Sequence, residues 1–302
     1  MASRWISPFN TLLMLCLIIF WGSSFVVVKI TLDEGLTPIA IATFRFLIAS
    51  PMFLAVLVAN KSVNRAYSLV VNKKDLLALL LLALTGVTVF FVVQYTGIEM
   101  ANASIAAILV CLLSPILISI FSSLLLKEQL TKKQLLGIGI ASAGTFTVVA
   151  GGSLAFNGNT IFFLGTLILL STPFLWATYT VGGKALTKKY SPLLVSAYVT
   201  MLGGLCLLPF AVAENSLSKI LTLTVQGWGA ILYLAIACSL LGYFIWLYVA
   251  NQVRAAVMGS FLFAEPLVTV LFASTFAGEK ITLFTAAGGL LIFFGVYLVS
   301  RR

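Results

Sequence analysis

Long runs of apolar residues alternate along the chain with short connections that carry most of its charged residues. A helix that crosses the hydrocarbon core of a bilayer needs about 20 predominantly apolar residues, and each run approaches that length. The predicted helices extend over roughly 9–32, 36–59, 75–97, 102–126, 132–151, 161–184, 192–213, 226–250, 254–276 and 282–300. The pattern therefore predicts an all-α integral membrane protein with ten transmembrane helices.

The first apolar run follows Arg4 and has some features of a secretory signal peptide. It is longer than the apolar region of such a peptide, and it lacks a clear small-x-small cleavage site. Nine further runs follow it. We therefore predict that this run is an uncleaved first helix.

Composition supports a protein that is dissolved in lipid. Hydrophobic residues make up 61% of the 302 residues and charged residues 9%, whereas a soluble domain carries about 25% charged residues. The chain has no histidine, and its four cysteines lie in four different apolar runs, which does not fit a disulfide framework or a metal site. We therefore expect no metal, no cofactor and no enzymatic activity.

The distribution of basic residues predicts the orientation. The chain has 18 Lys and Arg and 8 Asp and Glu. In a soluble protein this excess would suggest nucleic acid as a partner, but here it follows the positive-inside rule. With a cytoplasmic N-terminus, the inside segments hold 14 of the 18 basic residues: Arg4, Lys61, Arg65, Lys73, Lys74, Lys127, Lys132, Lys133, Lys184, Lys188, Lys189, Arg254, Arg301 and Arg302. We predict that both termini are inside and that the chain binds no nucleic acid.

Two stretches of the sequence resemble each other at a distance of half the chain. Trp21 precedes Lys29 by eight residues, and Trp176 precedes Lys184 by the same interval. A proline follows each lysine at a similar distance, at positions 38 and 192. The spacing indicates an internal repeat, with residues 1–151 as the first five-helix half and 152–302 as the second.

A second correspondence is tighter. Pro115 lies 13 residues before Glu128, and Pro266 lies 13 residues before Glu279. In both halves a threonine follows the glutamate by three residues and a glycine follows it by nine. Because five is an odd number of crossings, the two halves would enter the membrane from opposite sides. Such inverted repeats are common in secondary transporters, where the binding site lies between the repeats near the membrane midplane.

These motifs together resemble the EamA-type transporters of the drug/metabolite transporter superfamily. The resemblance extends over residues 9–300 and rests on the tryptophan-to-lysine stretch, the prolines of the fourth and ninth helices, and the glutamates before the fifth and tenth. It implies a ten-helix carrier of amino acids, related metabolites or drugs, often an exporter. It does not identify the substrate.

Two charged residues within apolar runs are candidates for substrate binding. Arg45 lies in the middle of the second helix, where a charge costs at least ~2.5 kcal/mol. It is interpreted as a contact for an anionic group or a gate, or else as a snorkelling or statically paired residue. Glu265 precedes Pro266, which interrupts the helical hydrogen bonds, and we interpret it as a proton or amine site. Its structural alternative is a hydrogen bond to a neighbouring helix.

Lys29 and Lys184 occupy matching positions and are predicted to act as gate charges, with interfacial snorkelling as the alternative. Pro115 and Pro266 are predicted to kink their helices and shape a cavity. Glu128 precedes a Thr-x-x-Gln capping box, which gives it a sufficient structural explanation.

Aromatic and polar residues complete the predicted site. Helical i,i+3 spacing pairs Trp21 with Ser24, Trp176 with Tyr179, and Tyr243 with Trp246. The remaining predicted contacts are Gln94, Tyr95 and Asn102. Aromatic side chains can enclose an apolar or cationic ligand, although core packing, an interfacial belt or, for Asn102, helix capping would also explain these residues.

The predicted function is a secondary transporter in a prokaryotic plasma membrane, with a small molecule and the bilayer as partners and protons as a possible coupling ion. No nucleotide-binding motif is present, so we do not expect direct ATP use. An amino acid fits an arginine, a glutamate and apolar walls. A multidrug exporter for cationic amphiphiles, a channel and a membrane scaffold remain alternatives, and the oligomeric state is left open.

Overall fold

The computed structural model describes residues 6–65, 67–100, 108–150, 160–277 and 283–300, and in these ranges the chain is helical without a β-strand. Nine helices of the described residues are long and apolar enough to cross a membrane. The prediction of an all-α membrane protein is confirmed at this level.

The helices agree with the predicted apolar runs to within a few residues, apart from the fourth, whose described part begins later. We label them α1 Pro8–Asp33, α2 Pro38–Val63, α3 Lys73–Met100, α4 108–126, α5 Lys132–Ala150, α6 Thr160–Leu186, α7 Pro192–Ala213, α8 Val225–Gln252, α9 255–277 and α10 Leu283–Ser300. Helix α5 takes the place of the predicted fifth crossing, but it is not among the nine candidate spans. The count of ten crossings therefore remains a prediction.

Three helices begin with the same local device. A serine or threonine accepts a hydrogen bond from the backbone three residues ahead, and a proline occupies the first helical position. The capping side chains are Ser7, Thr37 and Ser191. Proline costs nothing at this position because its missing N–H would have had no partner in the helix. The predicted capping box of α5 is also present, with reciprocal hydrogen bonds between Thr131 and Gln134.

The two halves of the chain interleave rather than forming separate lobes. Helix α1 packs on α8 and α9 of the second half, and α6 packs on α3 and α4 of the first half. Helix α2 packs on α7, and α5 packs on α10. If each helix is replaced by the helix at the matching position in the other half of the chain, the same set of contacts results.

Glycines bring α5 and α10 into close contact. A Cβ atom added to Gly144 would lie 2.7 Å from the carbonyl oxygen of Gly288, and one added to Gly137 would lie 2.7 Å from that of Gly295. Small residues allow helix backbones to approach each other in a membrane. These glycines of α5 and α10 therefore serve internal packing.

Irregular turns interrupt four helices within their apolar spans. Segments of π-helix lie at Leu84–Thr88 in α3, Ile108–Leu112 in α4 and Leu234–Leu241 in α8, and a 3₁₀ turn lies at Phe261–Ala264 in α9. Such turns displace backbone carbonyls from regular α-helical bonding. Two of the displaced carbonyl groups accept hydrogen bonds from side chains of the site described next.

Candidate functional site

A cavity of about 280 Å³ lies between the two halves. It is lined by Trp21, Ser24, Phe25, Val28, Leu32, Pro38, Arg45, Phe90, Phe91, Gln94, Tyr95, Ile98, Glu99, Val110, Cys111, Ser114, Trp176, Tyr243, Leu262 and Glu265. The lining extends from the middle of α1 to Leu32, one residue from the end of that helix. The cavity thus extends toward the end of α1 at which Asp33 lies.

Arg45 presents a fixed positive charge to this cavity. Its Nε donates a hydrogen bond of 2.8 Å to the hydroxyl of Ser239 in the π-helical segment of α8. Its guanidinium carbon lies 5.2 Å from the ring centroids of both Phe46 and Phe91, within range of cation–π attraction, and Tyr95 lies close enough to interact with it electrostatically. Among the described residues, no carboxylate forms an ion pair with Arg45.

Glu265 lines the same cavity from α9, at the point where the 3₁₀ turn gives way to regular helix. No ion pair or side-chain hydrogen bond of its carboxyl group occurs among the described residues. Cys238 lies within electrostatic range of both Glu265 and Arg45. The cavity lining therefore has one cationic side chain, Arg45, and two acidic ones, Glu265 and the exposed Glu99. Arg45 and Glu265 do not neutralise each other through direct contact.

Aromatic rings form much of the remaining wall. The ring of Trp176 lies 5.4 Å from that of Trp21 in an edge-to-face arrangement and 5.3 Å from that of Phe90. The ring of Tyr243 lies 6.1 Å from Trp176, nearly perpendicular to it. These separations are typical of stabilising aromatic pairs, so the wall is a packed layer and not a set of independent side chains.

Two of these wall residues are anchored on the π-helical turns. The Nε1 of Trp21 donates to the carbonyl of Cys238 at 3.1 Å. The hydroxyl of Tyr243 donates to the carbonyl of Gly86 at 2.6 Å. Each side chain thereby satisfies a carbonyl of an irregular turn in the opposite half of the chain, and each turn fixes the position of a ring in the cavity.

Eight of the eleven predicted contacts line the cavity: Trp21, Ser24, Arg45, Gln94, Tyr95, Trp176, Tyr243 and Glu265. Tyr179 and Trp246 are fully buried behind this layer, where Trp246 donates to the Thr180 hydroxyl at 3.1 Å. They support the wall in this conformation without lining it. Asn102 lies outside the described residues.

The predicted gate residues have different surroundings. Lys29 is exposed on α1 and does not line the cavity. Lys184 is buried, and its Nζ lies 2.8 Å from Oε1 of Glu128; it also donates to the Val253 carbonyl. The other carboxyl oxygen of Glu128 accepts from the backbone N–H of Ala255 at 2.8 Å. Glu128 therefore caps the start of α9 and also pairs with Lys184. These contacts lie at the opposite end of the helices from Asp33.

Pro115 and Pro266 both follow irregular turns. Pro115 comes three residues after the π-helical segment of α4, and Pro266 comes two residues after the 3₁₀ turn of α9. Neither ring lines the cavity, but Cys111 and Leu262 in those turns do. This position suits the predicted role of the prolines in shaping the cavity.

Sequence reasoning missed several residues that form the site. Ser239, Cys238 and Ser114 lie in apolar runs, and nothing in their local sequence distinguishes them from serine and cysteine in lipid-exposed helices. A useful signal would have been the combination of a small polar residue with the proline at position 115. In the part of the chain that the structure describes, no group of His, Cys, Asp and Glu suits a metal ion.

Comparisons with known proteins identify the family of the chain. The model of the EamA-like transporter family matches residues 9–150 and 163–301. An "uncharacterized transporter" of Archaeoglobus fulgidus is 32% identical over 292 residues, which cover 96% of this chain and 97% of that protein. A "probable amino-acid metabolite efflux pump" of Salmonella typhimurium is 25% identical, with 95% of this chain and 93% of that protein covered.

The fold also matches a solved structure. A crystal structure of a protein with 19% sequence identity aligns with a TM-score of 0.77 over 97% of this chain and 96% of that one. At this identity the match shows the fold alone. The chain is a multi-pass membrane protein, and prokaryotic transporters of this kind usually reside in the plasma membrane. The two family matches together cover most of its length, and the chain belongs to the EamA-like transporter family.

Proposed function

We propose that this protein is a secondary transporter that exports an amino acid or a related amphipathic metabolite by alternating access. The observation that carries the proposal is the presence in the cavity of Arg45 and Glu265, in addition to the exposed Glu99. Arg45 is held toward the cavity and has no ion-pair partner among the described residues, and neither has Glu265. A zwitterion places a carboxylate and an ammonium group on one small molecule and therefore complements both.

The size and wall of the cavity support the same class of substrate. A volume of about 280 Å³ is at the lower end of the range for small-molecule sites, which favours a molecule of amino-acid size. The rings of Trp21, Trp176 and Phe90 offer a surface for an apolar side chain. Export is the direction suggested by the relative named as a probable amino-acid metabolite efflux pump.

The proposed architecture is ten crossings arranged as two inverted five-helix repeats, with both termini in the cytoplasm. The exchange symmetry of the helix contacts supports the repeat, and the excess of basic residues near the Lys184 end supports the orientation. In this orientation the cavity is open to the outside, and the contacts of Lys184 and Glu128 close the inside. The reverse arrangement would expose the same site to the cytoplasm.

We further propose that Glu265 carries the coupling proton. A carboxyl group in an apolar cavity can bind a proton when its counter-charge is absent. Binding of a substrate ammonium group and binding of a proton would then compete for one side chain. Exchange of one for the other is a simple basis for proton-driven export.

A multidrug exporter for cationic amphiphiles is the second candidate. The apolar walls and Glu265 suit an amine with a large hydrophobic body. Such a substrate would leave Arg45 without a counter-charge, although Arg45 is the charged group most firmly held in the cavity. The zwitterion therefore accounts for more of the site.

The test is counterflow in proteoliposomes with radiolabelled L-leucine, L-phenylalanine and a cationic dye, with and without a pH gradient. We expect saturable amino-acid flux, which Arg45→Gln abolishes and Glu265→Gln uncouples from the gradient. Lys188→Gln is the matched control, because this exposed lysine lies at the end of α6, far from the cavity. Flux of the dye alone would favour a multidrug exporter. Absence of saturable flux for every probe would contradict the proposal that the protein is a carrier.

A further inference from the structure

Ser114 has a hydroxyl group that the fold does not use. The residue is fully buried in α4, and its Oγ has no hydrogen-bond partner among the described residues. It also lines the cavity. A buried polar group without a partner is uncommon in proteins. Of the five described residues with such a side-chain atom, Ser114 is the one that lines the cavity, so a ligand there is an available partner for its hydroxyl group.

Neighbouring serines of the same helix form hydrogen bonds to backbone carbonyls, which Ser114 does not. Ser119 donates to the Pro115 carbonyl at 2.8 Å, and Ser122 donates to the Ser119 carbonyl at 3.1 Å. A serine within a regular helix commonly satisfies its hydroxyl in this way. Ser114 follows the π-helical segment Ile108–Leu112, where the carbonyls of the preceding turn are displaced, and its hydroxyl makes no such bond.

Ser114 and Glu265 each follow an irregular turn that lines the cavity, Ser114 in α4 and Glu265 in α9. Cys111, in the π-helical segment three residues earlier, also lines the cavity, and it is within electrostatic range of the Glu265 carboxyl group. The irregular turns of α4 and α9 contact each other. Both Ser114 and Glu265 line the cavity, so a hydroxyl oxygen and a carboxyl group share this part of its wall.

A ligand that satisfies both groups must donate more than one hydrogen bond and carry positive charge. A primary ammonium group has three N–H donors, whereas a carboxylate oxygen and a hydroxyl oxygen both accept. We propose that Ser114 and Glu265 form a subsite for the primary ammonium group of the substrate. The inference rests on the proposed function, since it assigns the carboxylate of the same molecule to Arg45.

The proposal separates the substrate into two ends that can be removed one at a time. L-Leucine carries both charged groups, isoamylamine carries only the ammonium group, and 4-methylpentanoate carries only the carboxylate. All three have the same branched hydrocarbon chain. A side chain that binds the ammonium group should affect the first two compounds and leave the third unchanged.

The experiment measures binding and counterflow of these three compounds with the full-length protein in proteoliposomes. For Ser114→Ala we expect about a tenfold weaker apparent affinity for L-leucine and isoamylamine, the usual effect of removing one hydrogen bond to a charged group, and no change for 4-methylpentanoate. Ser114→Thr keeps a hydroxyl group and should restore much of the affinity. Ser119→Ala is the matched control, because this buried serine of α4 is already bonded within its helix.

The outcomes distinguish this subsite from the proposed function. Equal losses for all three compounds, or none for L-leucine, would overturn the ammonium subsite while leaving amino-acid transport in place. Flux of isoamylamine that is sensitive to Ser114→Ala, without any flux of L-leucine, would support the subsite and overturn the amino-acid proposal. Absence of binding and flux for every compound would overturn both. The thermal midpoint of each variant identifies those that fail to fold.

Discussion

The Nζ atom of Lys184 lies 2.8 Å from Oε1 of Glu128, and this ion pair joins α6 to the end of α4. Their side chains are only 11% and 14% exposed. Removal of one partner of such a pair leaves an uncompensated charge, which costs about 3 kcal/mol in a largely buried setting. The cost applies only to the conformation in which the two residues meet.

We therefore expect Lys184→Met and Glu128→Gln to favour a conformation that is open at this end. Cys111 lines the cavity, so its modification by a membrane-impermeant maleimide from the Glu128 side should increase in both variants, as read by mass spectrometry for that residue. Lys188→Met, on the exposed side of the same helix end, should not change it. Unchanged labelling in both variants would show that the ion pair does not hold this end closed.

Trp21 couples the wall of the cavity to the π-helical turn of α8 through its bond to the Cys238 carbonyl. Trp21→Phe keeps a ring but removes the N–H, and the carbonyl remains buried without that donor, at a cost of about 1–3 kcal/mol. We expect a lower thermal midpoint and weaker substrate binding. Trp228→Phe is the control, because Trp228 is 38% exposed and lies outside the cavity. Equal behaviour of the two variants would argue against the coupling.

The contact of α5 with α10 should tolerate no side chain at its closest point. A Cβ at position 144 would meet the Gly288 carbonyl at 2.7 Å and the Ile292 nitrogen at 2.8 Å, both backbone atoms. Gly144→Ala should therefore destabilise the protein by about 1–3 kcal/mol, the usual cost of overpacking. Gly139→Ala, where a Cβ meets nothing within 4 Å, should change stability by less than about 1 kcal/mol. Thermal unfolding in detergent compares the two.

Glu34 links the turn after α1 to the start of α8. Hydrogen bonds from the hydroxyl and the N–H of Thr224 lower the pKa of Glu34 below its ordinary value of 4.5. Because the folded state favours the ionised form, this link contributes fully above pH 4.5 and is lost as the pH falls through the lowered pKa. We expect Glu34→Gln to lower the thermal midpoint at pH 7 and to lose this effect as the pH falls well below 4.5. Asp33→Asn should not show this dependence of the thermal midpoint on pH, since Asp33 makes no such bond to Thr224.

The helices were predictable because apolar length alone limits where a chain can cross a bilayer. Proline also helped, since Pro192 marks both a predicted and an observed helix start. The charged lining was predictable for a related reason. A charge within an apolar run must face protein or water, and both Arg45 and Glu265 line the cavity.

The rest of the site depends on turns that apolar length does not reveal. Tyr243 and Trp246 share a helix face by spacing, but only the packing against Trp21 and Thr180 decides which ring is nearer the cavity. Glu128 has a local explanation at the start of α5, and its actual partners are 56 and 127 residues away, at Lys184 and Ala255. Ser114 differs from Ser119 only through the π-helical segment that precedes it.

The pairing of α5 with α10 also sets an order for biogenesis. The glycines of α5 fit against a helix that is translated more than 130 residues later. At the usual speed of synthesis, α5 waits on the order of ten seconds in the membrane before its partner leaves the ribosome. Helix α5 therefore cannot form this contact until α10 has been synthesised.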